Sequence, residues 1–169
     1  MSGSGIYAVP KLTDRNWVEF KTKTVMSLTA RGLNRHLTGT VKVPKPLKLS
    51  ADGTKTLLDD GKTEATEAEI ETNLTLVDMH EQKEALAIQH LYATVPNSVM
   101  IQVQNKGSVA EIWKAICLIY EGKSDMVQVD TRARLQSMKC SKKDDVKSHL
   151  TSMMVLREEL AGMGAPVDD

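Results

Sequence analysis

Four histidines and two cysteines are the side chains of this sequence best suited to hold a metal or act as a nucleophile. His36, His80, His90 and His149 are scattered along the chain. His80 and Glu84 stand four apart, so on a helix they share one face, with Asp78 close by. A zinc-type site needs at least three converging ligands. The spacing is not His-Glu-x-x-His, and the preferred reading is of solvated helical residues. Cys117 and Cys140 have no Cys-x-x-Cys partner, which excludes a zinc ribbon and a dithiol redox motif. They sit among apolar residues and read as small core side chains, reduced thiols of an intracellular protein. A cysteine nucleophile would need a base and a group to orient it, and the sequence nominates neither.

Other chemistries fail on context. There is no Gly-x-x-x-x-Gly-Lys-Ser/Thr and no Gly-x-Gly-x-x-Gly after a strand. Asp52-Gly53-Thr54 has the wrong order for an aspartic protease, and Val167-Asp168-Asp169 resembles a polymerase carboxylate pair only superficially. With one short β candidate, no sheet is expected to hold such a site, and an enzyme is not expected. Trp17, Trp113 and Tyr120 would suit nucleobase stacking. Each lies on an otherwise apolar helical face, so core packing is the stronger reading. Lys42, Lys45 and Lys48 flank prolines in a predicted loop, where they could meet phosphate or a neighbouring subunit.

The elements that must position these residues follow from composition and periodicity. A chain of 169 residues with 41% hydrophobic and 26% charged side chains buries a core without staples, which excludes wholesale disorder and a disulfide miniprotein. Aromatics are scarce and nine Met outnumber them, a composition that leans helical. No apolar run approaches the ~18 residues of a membrane span, and Met1–Gly5 does not open a secretory signal. The formal net charge is +0, which argues against a strongly basic nucleic-acid binder. Its distribution is uneven: residues 1–50 sum to +7 and residues 51–100 to −7. The preferred reading is packing or screening within one molecule; the sharper one is contact between copies.

A first helix is predicted over residues 13–33, capped by Thr13 or Asp14, with Trp17, Phe20, Thr24, Val25 and Leu28 on its apolar face and Gly32 at its end. A short turn follows at 34–40. Prolines and the Asp52-Gly53 and Asp60-Gly61 turn signals make 41–63 a long exposed loop. Residues 65–95 predict one long helix, or two with a kink, with Ile70, Leu74 and Val77 forming one stripe and Ala85, Ile88, Tyr92 and Val95 another. Pro96 stops it. Val99–Val103 reads as a helix or extended linker. Ser108 and Glu111 form a capping box for a helix bearing Ile112, Trp113, Ile116, Ile119 and Tyr120, closed by Gly122. A further helix is expected over 125–139 on Met126, Val129, Ala133, Leu135 and Met138. Ser141–Asp144 should open the last, on Val146, Leu150, Met153, Leu156 and Leu160, ended by Gly162, Gly164 and Pro166. No internal repeat is visible.

Several blocks resemble the Gag polyproteins of copia-type LTR retrotransposons. Leu12-Thr13-Asp14-Arg15-Asn16-Trp17, with Phe20, is similar to the Leu-x-x-x-Asn-Trp opening of that family. Gly32-Leu33 to Leu37-Thr38-Gly39 resembles its next block. Ala110-Glu111-Ile112-Trp113 with Tyr120, then Leu135–Met138 with Asp145–Leu150, then Arg157–Gly164 resemble the rest in order. Asp78 or a near neighbour stands where the family often has a Trp. A zinc knuckle, Cys-x-x-Cys-x-x-x-x-His-x-x-x-x-Cys, is not found, nor is the apolar helix that usually continues past the last Gly.

The resemblance implies an all-α, capsid-like fold of about six helices in two small lobes. A tail over 1–11 would precede an N-terminal lobe over 12–104, carrying the loop 41–63. A C-terminal lobe over 105–169, expected to be truncated, would follow a boundary at Gln104–Gly107. It implies a structural protein of the cytoplasm that self-associates into virus-like particles around element RNA. The motif core would be Trp17, Phe20, Leu28, Trp113, Ile116, Tyr120, Leu135, Leu150 and Leu160. Partners would be other copies and RNA, bound weakly without a knuckle; no cofactor, membrane or small-molecule substrate is implied. The alternative is a domesticated or fragmentary Gag domain that binds RNA or protein through Lys42, Lys45 and Lys48.

Overall fold

The computed structural model describes residues 9–140 and 145–167, and among these the chain is all-α: six helices and one two-stranded ribbon. The first helix, α1, spans Trp17–Ala30. Its cap position is Asn16, not Thr13 or Asp14. The Asn16 side chain faces backwards: its Oδ1 accepts from the Thr13 amide at 2.8 Å and its Nδ2 donates to the Lys11 carbonyl at 2.8 Å. That shapes the entry turn instead of the first helical amides. Gly32 ends α1 as expected, at φ +72°. The Leu33 amide donates to the Leu28 carbonyl and the Gly32 amide to Thr29, a pairing that requires a left-handed residue. A one-turn helix, α2 (Asn34–Leu37), follows and ends in the same way at Gly39, φ +71°.

Residues 41–63 are not a plain loop. Strands β1 (Lys48–Leu49) and β2 (Thr56–Leu57) pair antiparallel, and Leu57 bridges to Glu64. Both turn signals hold. Asp52 Oδ1 accepts from Ser50 Oγ and the Thr54 amide, and Asp60 Oδ1 accepts from the Lys62 and Thr63 amides. At two residues each, the strands are too short for any alternation of side chains to announce them; the turns make them. Asn73 clips the strap to the next helix, donating from Nδ2 to the Lys45 carbonyl at 2.9 Å and accepting from the Leu47 amide at 3.3 Å.

Helix α3 (Glu67–Thr94) is a single element, capped by a reciprocal pair: Thr66 Oγ1 accepts from the Glu69 amide and Glu69 Oε2 from the Thr66 amide. Its second expected stripe holds at three of four positions: Val95 is buried, and Ile88 and Tyr92 pack against the core. The other positions shift. Leu74 is 50% exposed and Ala85 is exposed, whereas Ala87, Leu91 and Thr94 are buried. Val99–Val103 belongs to a short helix, α4 (Asn97–Val103).

The largest departure is α5, Val109–Ser137, one helix where two were expected. Gly122 does not close it. A glycine inside a helix costs only about 1 kcal/mol against alanine, and nothing here turns the chain. The inward stripe runs Val109, Ile112, Ile116, Tyr120, Ser124, Thr131. The expected Met126, Val129 and Ala133 face outward instead. Ser108 Oγ accepts from the Glu111 amide as predicted, but Glu111 Oε2 accepts from the Gly107 amide, so the return half of the box falls one residue early.

Helix α6 (Val146–Gly162) is capped by Asp145, whose two carboxylate oxygens accept from the Lys147 and Ser148 amides. The predicted opening at Ser141–Asp144 lies outside the described residues, as do Met1–Gly5 and Asp168–Asp169. Gly164, at φ +78°, closes the helix. Of the tail expected over 1–11, residues 1–8 also lie outside; Val9 packs against the core and Lys11 Nζ donates to the Ala93 carbonyl at 2.6 Å.

Helix α5 touches every other helix. The main core cluster takes Leu12, Trp17, Phe20, Leu28, Leu33 and Leu37, then Ala87 to Val103, then Val109 to Tyr120. It draws on both sides of Gln104–Gly107. Leu156, Leu160 and Met163 are buried where α6 meets α5.

Candidate functional site

The aromatic residues of the motif meet at one point. Trp17 lies 6.2 Å from Phe20, 6.0 Å from Trp113 and 5.6 Å from Tyr120, ring centre to ring centre. Trp17, Phe20 and Tyr120 are buried; Trp113 is half-buried at the edge. Lys21 Nζ sits 5.7 Å above Trp17 and Lys123 Nζ 5.0 Å above Tyr120. Burial pushes the Tyr120 phenol upward. Lys21 donates to Glu121 at 2.8 Å, and that bond raises its own pKa. These rings stitch α1 to α5 and are not open to a stacked base.

Leu28, Ile116 and Leu160 are fully buried, and Leu135 is half-buried. Leu150 is 54% exposed and does not join the core. The reason is helical phase: α6 buries Leu156, Leu160 and Met163, and Val146, Leu150 and Met154 fall on another side. Leu118, Met126 and Val129 are likewise exposed along α5. Two helices thus carry apolar stripes that no other part of the described chain covers.

Lys42, Lys45 and Lys48 are all exposed on the strap that Asn73 pins. The long-range ion pairs of the basic N-terminal segment reach the last third of the chain: Arg15 to Glu159 at 3.2 Å, Lys21 to Glu121 at 2.8 Å and Asp14 to Lys123 at 3.2 Å. Among the described residues, no Lys or Arg of the +7 segment pairs with a carboxylate of the −7 segment; His36 makes a hydrogen bond with Glu84 across them.

Cys117 is half-buried, and burial pushes its thiol up to about 11, the wrong direction for a nucleophile. Cys140 is exposed, not a core side chain. His90 is half-buried on α3; desolvation, aided by the Arg31 charge, lowers its pKa.

His36, His80 and Glu84 converge, which the spacing alone did not show. His36, 4% exposed, brings Nδ1 within 2.7 Å of Glu84 Oε1, while Glu84 Oε2 accepts from the Val109 amide at 3.0 Å. The two imidazole centres are 5.0 Å apart. In sequence His80 stands with Glu84 and Asp78, and His36 lies 48 residues from Glu84. No local pattern marks it. Only the docking of α2 on α3 brings it there.

No helix among the described residues is long and apolar enough to cross a membrane. The family model described as gag-polypeptide of LTR copia-type matches residues 25–169. The chain therefore belongs to that family. No curated protein and no solved structure matches it.

Proposed function

We propose that this copia-type Gag chain acts as a capsid protein, self-associating in the cytoplasm into virus-like particles around the RNA of its element, with a structural and not a catalytic role. The observation that carries the reading is the pair of uncovered apolar stripes. Leu118, Met126 and Val129 on α5 are 67%, 75% and 70% exposed, and Val146, Leu150 and Met154 on α6 are 61%, 54% and 60% exposed. Contiguous apolar surface of this kind marks interaction sites on a folded protein. Gly122 lies in line with Leu118 and Met126, and a Cβ there would meet nothing within 4 Å, so the α5 stripe has a flat centre that another helix can approach closely.

Light-scattering mass across a concentration series, at low and moderate salt and with and without RNA, tests the reading. Growth from monomer to dimer and larger particles is expected, and Met126→Glu with Leu150→Glu should hold the chain monomeric with its melting temperature kept. A monomer at every concentration, salt and RNA condition would refute self-association by this chain. The second reading, a small RNA-binding module, is favoured by the exposure of Lys42, Lys45 and Lys48 on a pinned strap. It requires binding that weakens steeply with salt and is reduced when those three lysines are neutralised.

A further inference from the structure

We propose that His36, His80 and Glu84 form a binding site for a divalent transition-metal ion of the zinc class. One donor atom from each residue lies within 4.8 Å of the others. On a tetrahedral zinc ion, with ligands at about 2.0–2.1 Å, neighbouring donors stand about 3.3 Å apart. His36 Nδ1 and Glu84 Oε1, hydrogen-bonded at 2.7 Å, would part slightly to admit the ion, exchanging that bond for two bonds to the metal. Two imidazoles and a carboxylate suit zinc, cobalt or nickel and not magnesium or calcium, which prefer oxygen donors alone.

The surroundings fit an ion. The three residues line a cleft of about 510 Å³ whose other walls include Gly39, Val43 and Ala110. Glu81 lines the same cleft. His36 is held almost wholly out of solvent, and Glu84 is fixed at its far oxygen by the Val109 amide. A carboxylate so anchored keeps its other oxygen in place, as the outer partners of metal ligands usually do. The ion would clip α2 to α3 beside the first turn of α5, so its expected effect is on stability.

The test is calorimetric titration of the full chain with Zn²⁺, with melting curves at each ratio and absorption spectra of the Co²⁺ form. One equivalent should bind, and zinc at a hundredfold excess over Kd should raise the melting temperature by about 5–10 °C. His80→Ala and Glu84→Gln should each weaken binding by at least about tenfold. The Co²⁺ spectrum should lack thiolate-to-metal charge transfer, which separates this site from binding at Cys117 or Cys140. If His80→Ala lowers the melting temperature without metal, His80→Gln makes the same comparison with a polar side chain retained. No binding, a thiolate spectrum, or unchanged affinity in both the His80 and Glu84 variants would overturn the proposal.

Discussion

Gly39→Ala should destabilise the protein more than Gly32→Ala, and the difference measures how closely α2 approaches α5. Both glycines hold nearly the same left-handed conformation, φ +71° and +72°, at the ends of adjacent helices. An alanine there costs about 1–2 kcal/mol. Against that, loss of glycine freedom in the unfolded chain returns about 0.4–1 kcal/mol. Gly32→Ala meets nothing within 4 Å, so its net cost is about 1 kcal/mol. At Gly39 the added Cβ would stand 3.1 Å from the Ala110 Cβ, well inside the optimum of about 3.5–4.0 Å between carbons. A methyl on a helix backbone cannot rotate away, and the first turn of α5 is also tied to Glu84 through the Val109 amide. Overpacking of this kind adds about 1–2 kcal/mol. The expected totals are about 1 kcal/mol for Gly32→Ala and about 2–3 kcal/mol for Gly39→Ala, or about 2–4 °C of melting temperature per kcal/mol. Urea unfolding followed by tryptophan fluorescence reads both, because Trp17 and Trp113 sit in the α1–α5 seam. The conformational terms cancel between the two variants. Equal costs would mean that the end of α2 does not press on α5.

Phe20→Ala, at a site with 0% exposure, should cost about 3–5 kcal/mol, a large part of a typical stability of about 5–15 kcal/mol. Trp113→Ala, half-buried, should cost about 2 kcal/mol, and Leu150→Ala less than about 0.5 kcal/mol; urea midpoints would rank the three, and a Leu150 cost matching that of Phe20 would contradict the placement of α6. His90 has its folded-state pKa below the ordinary 6.5, so the unfolded chain binds the proton more readily and stability falls as pH drops below 6.5. The gap in melting temperature between the native chain and His90→Asn should change between pH 7.5 and 5, the native chain losing more stability than the variant as pH falls; parallel curves would show that His90 is not the group responsible. Alkylation at pH 8 should modify exposed Cys140 well before Cys117, whose thiol stays protonated there, as peptide mass mapping would show.

Helix ends were the most legible part of the fold, because each rests on a local chemical rule. Gly32 and Gly164 take the left-handed conformation that their positions demanded. The ends that misled were those where two rules competed. Asn16 stands one residue before α1 and spends its amide on the preceding turn. Gly122 looked like a stop, but its cost is small beside the burial available on either side. The second half of α5 was misread because its inward stripe passes through Ser124 and Thr131. Hydroxyl residues are invisible to a count of apolar positions, and Met126 and Val129 supplied a false stripe on the opposite, exposed face of the helix. The aromatic core was legible from spacing alone at Trp17, Phe20 and Tyr120. His36 was not, because nothing near it in sequence says what it will face.

The uneven burial of α5 bears on why the outer stripes stay apolar. Up to Tyr120 the helix contributes to a core of fifteen buried residues that runs from Leu12 to Tyr120. Beyond it the inward positions are hydroxyls, and α6 adds only Leu156, Leu160 and Met163 as buried apolar side chains. Burial at about 25 cal/mol per Å² therefore favours the first part of the molecule over the second. The last turns of α5 and the start of α6 should open first, with amides exchanging faster than those of Phe20 to Leu28. A surface that gains most from being covered lies where the chain covers itself least. Self-association through Leu118, Met126, Val129 and Leu150 would supply the missing burial to the weaker end. Hydrogen exchange measured below and above the concentration of assembly would then show protection rising in α6 first. Protection rising instead along the strap at Lys42–Lys48, with α6 unchanged, would place the contact between copies on the basic face and refute the apolar one.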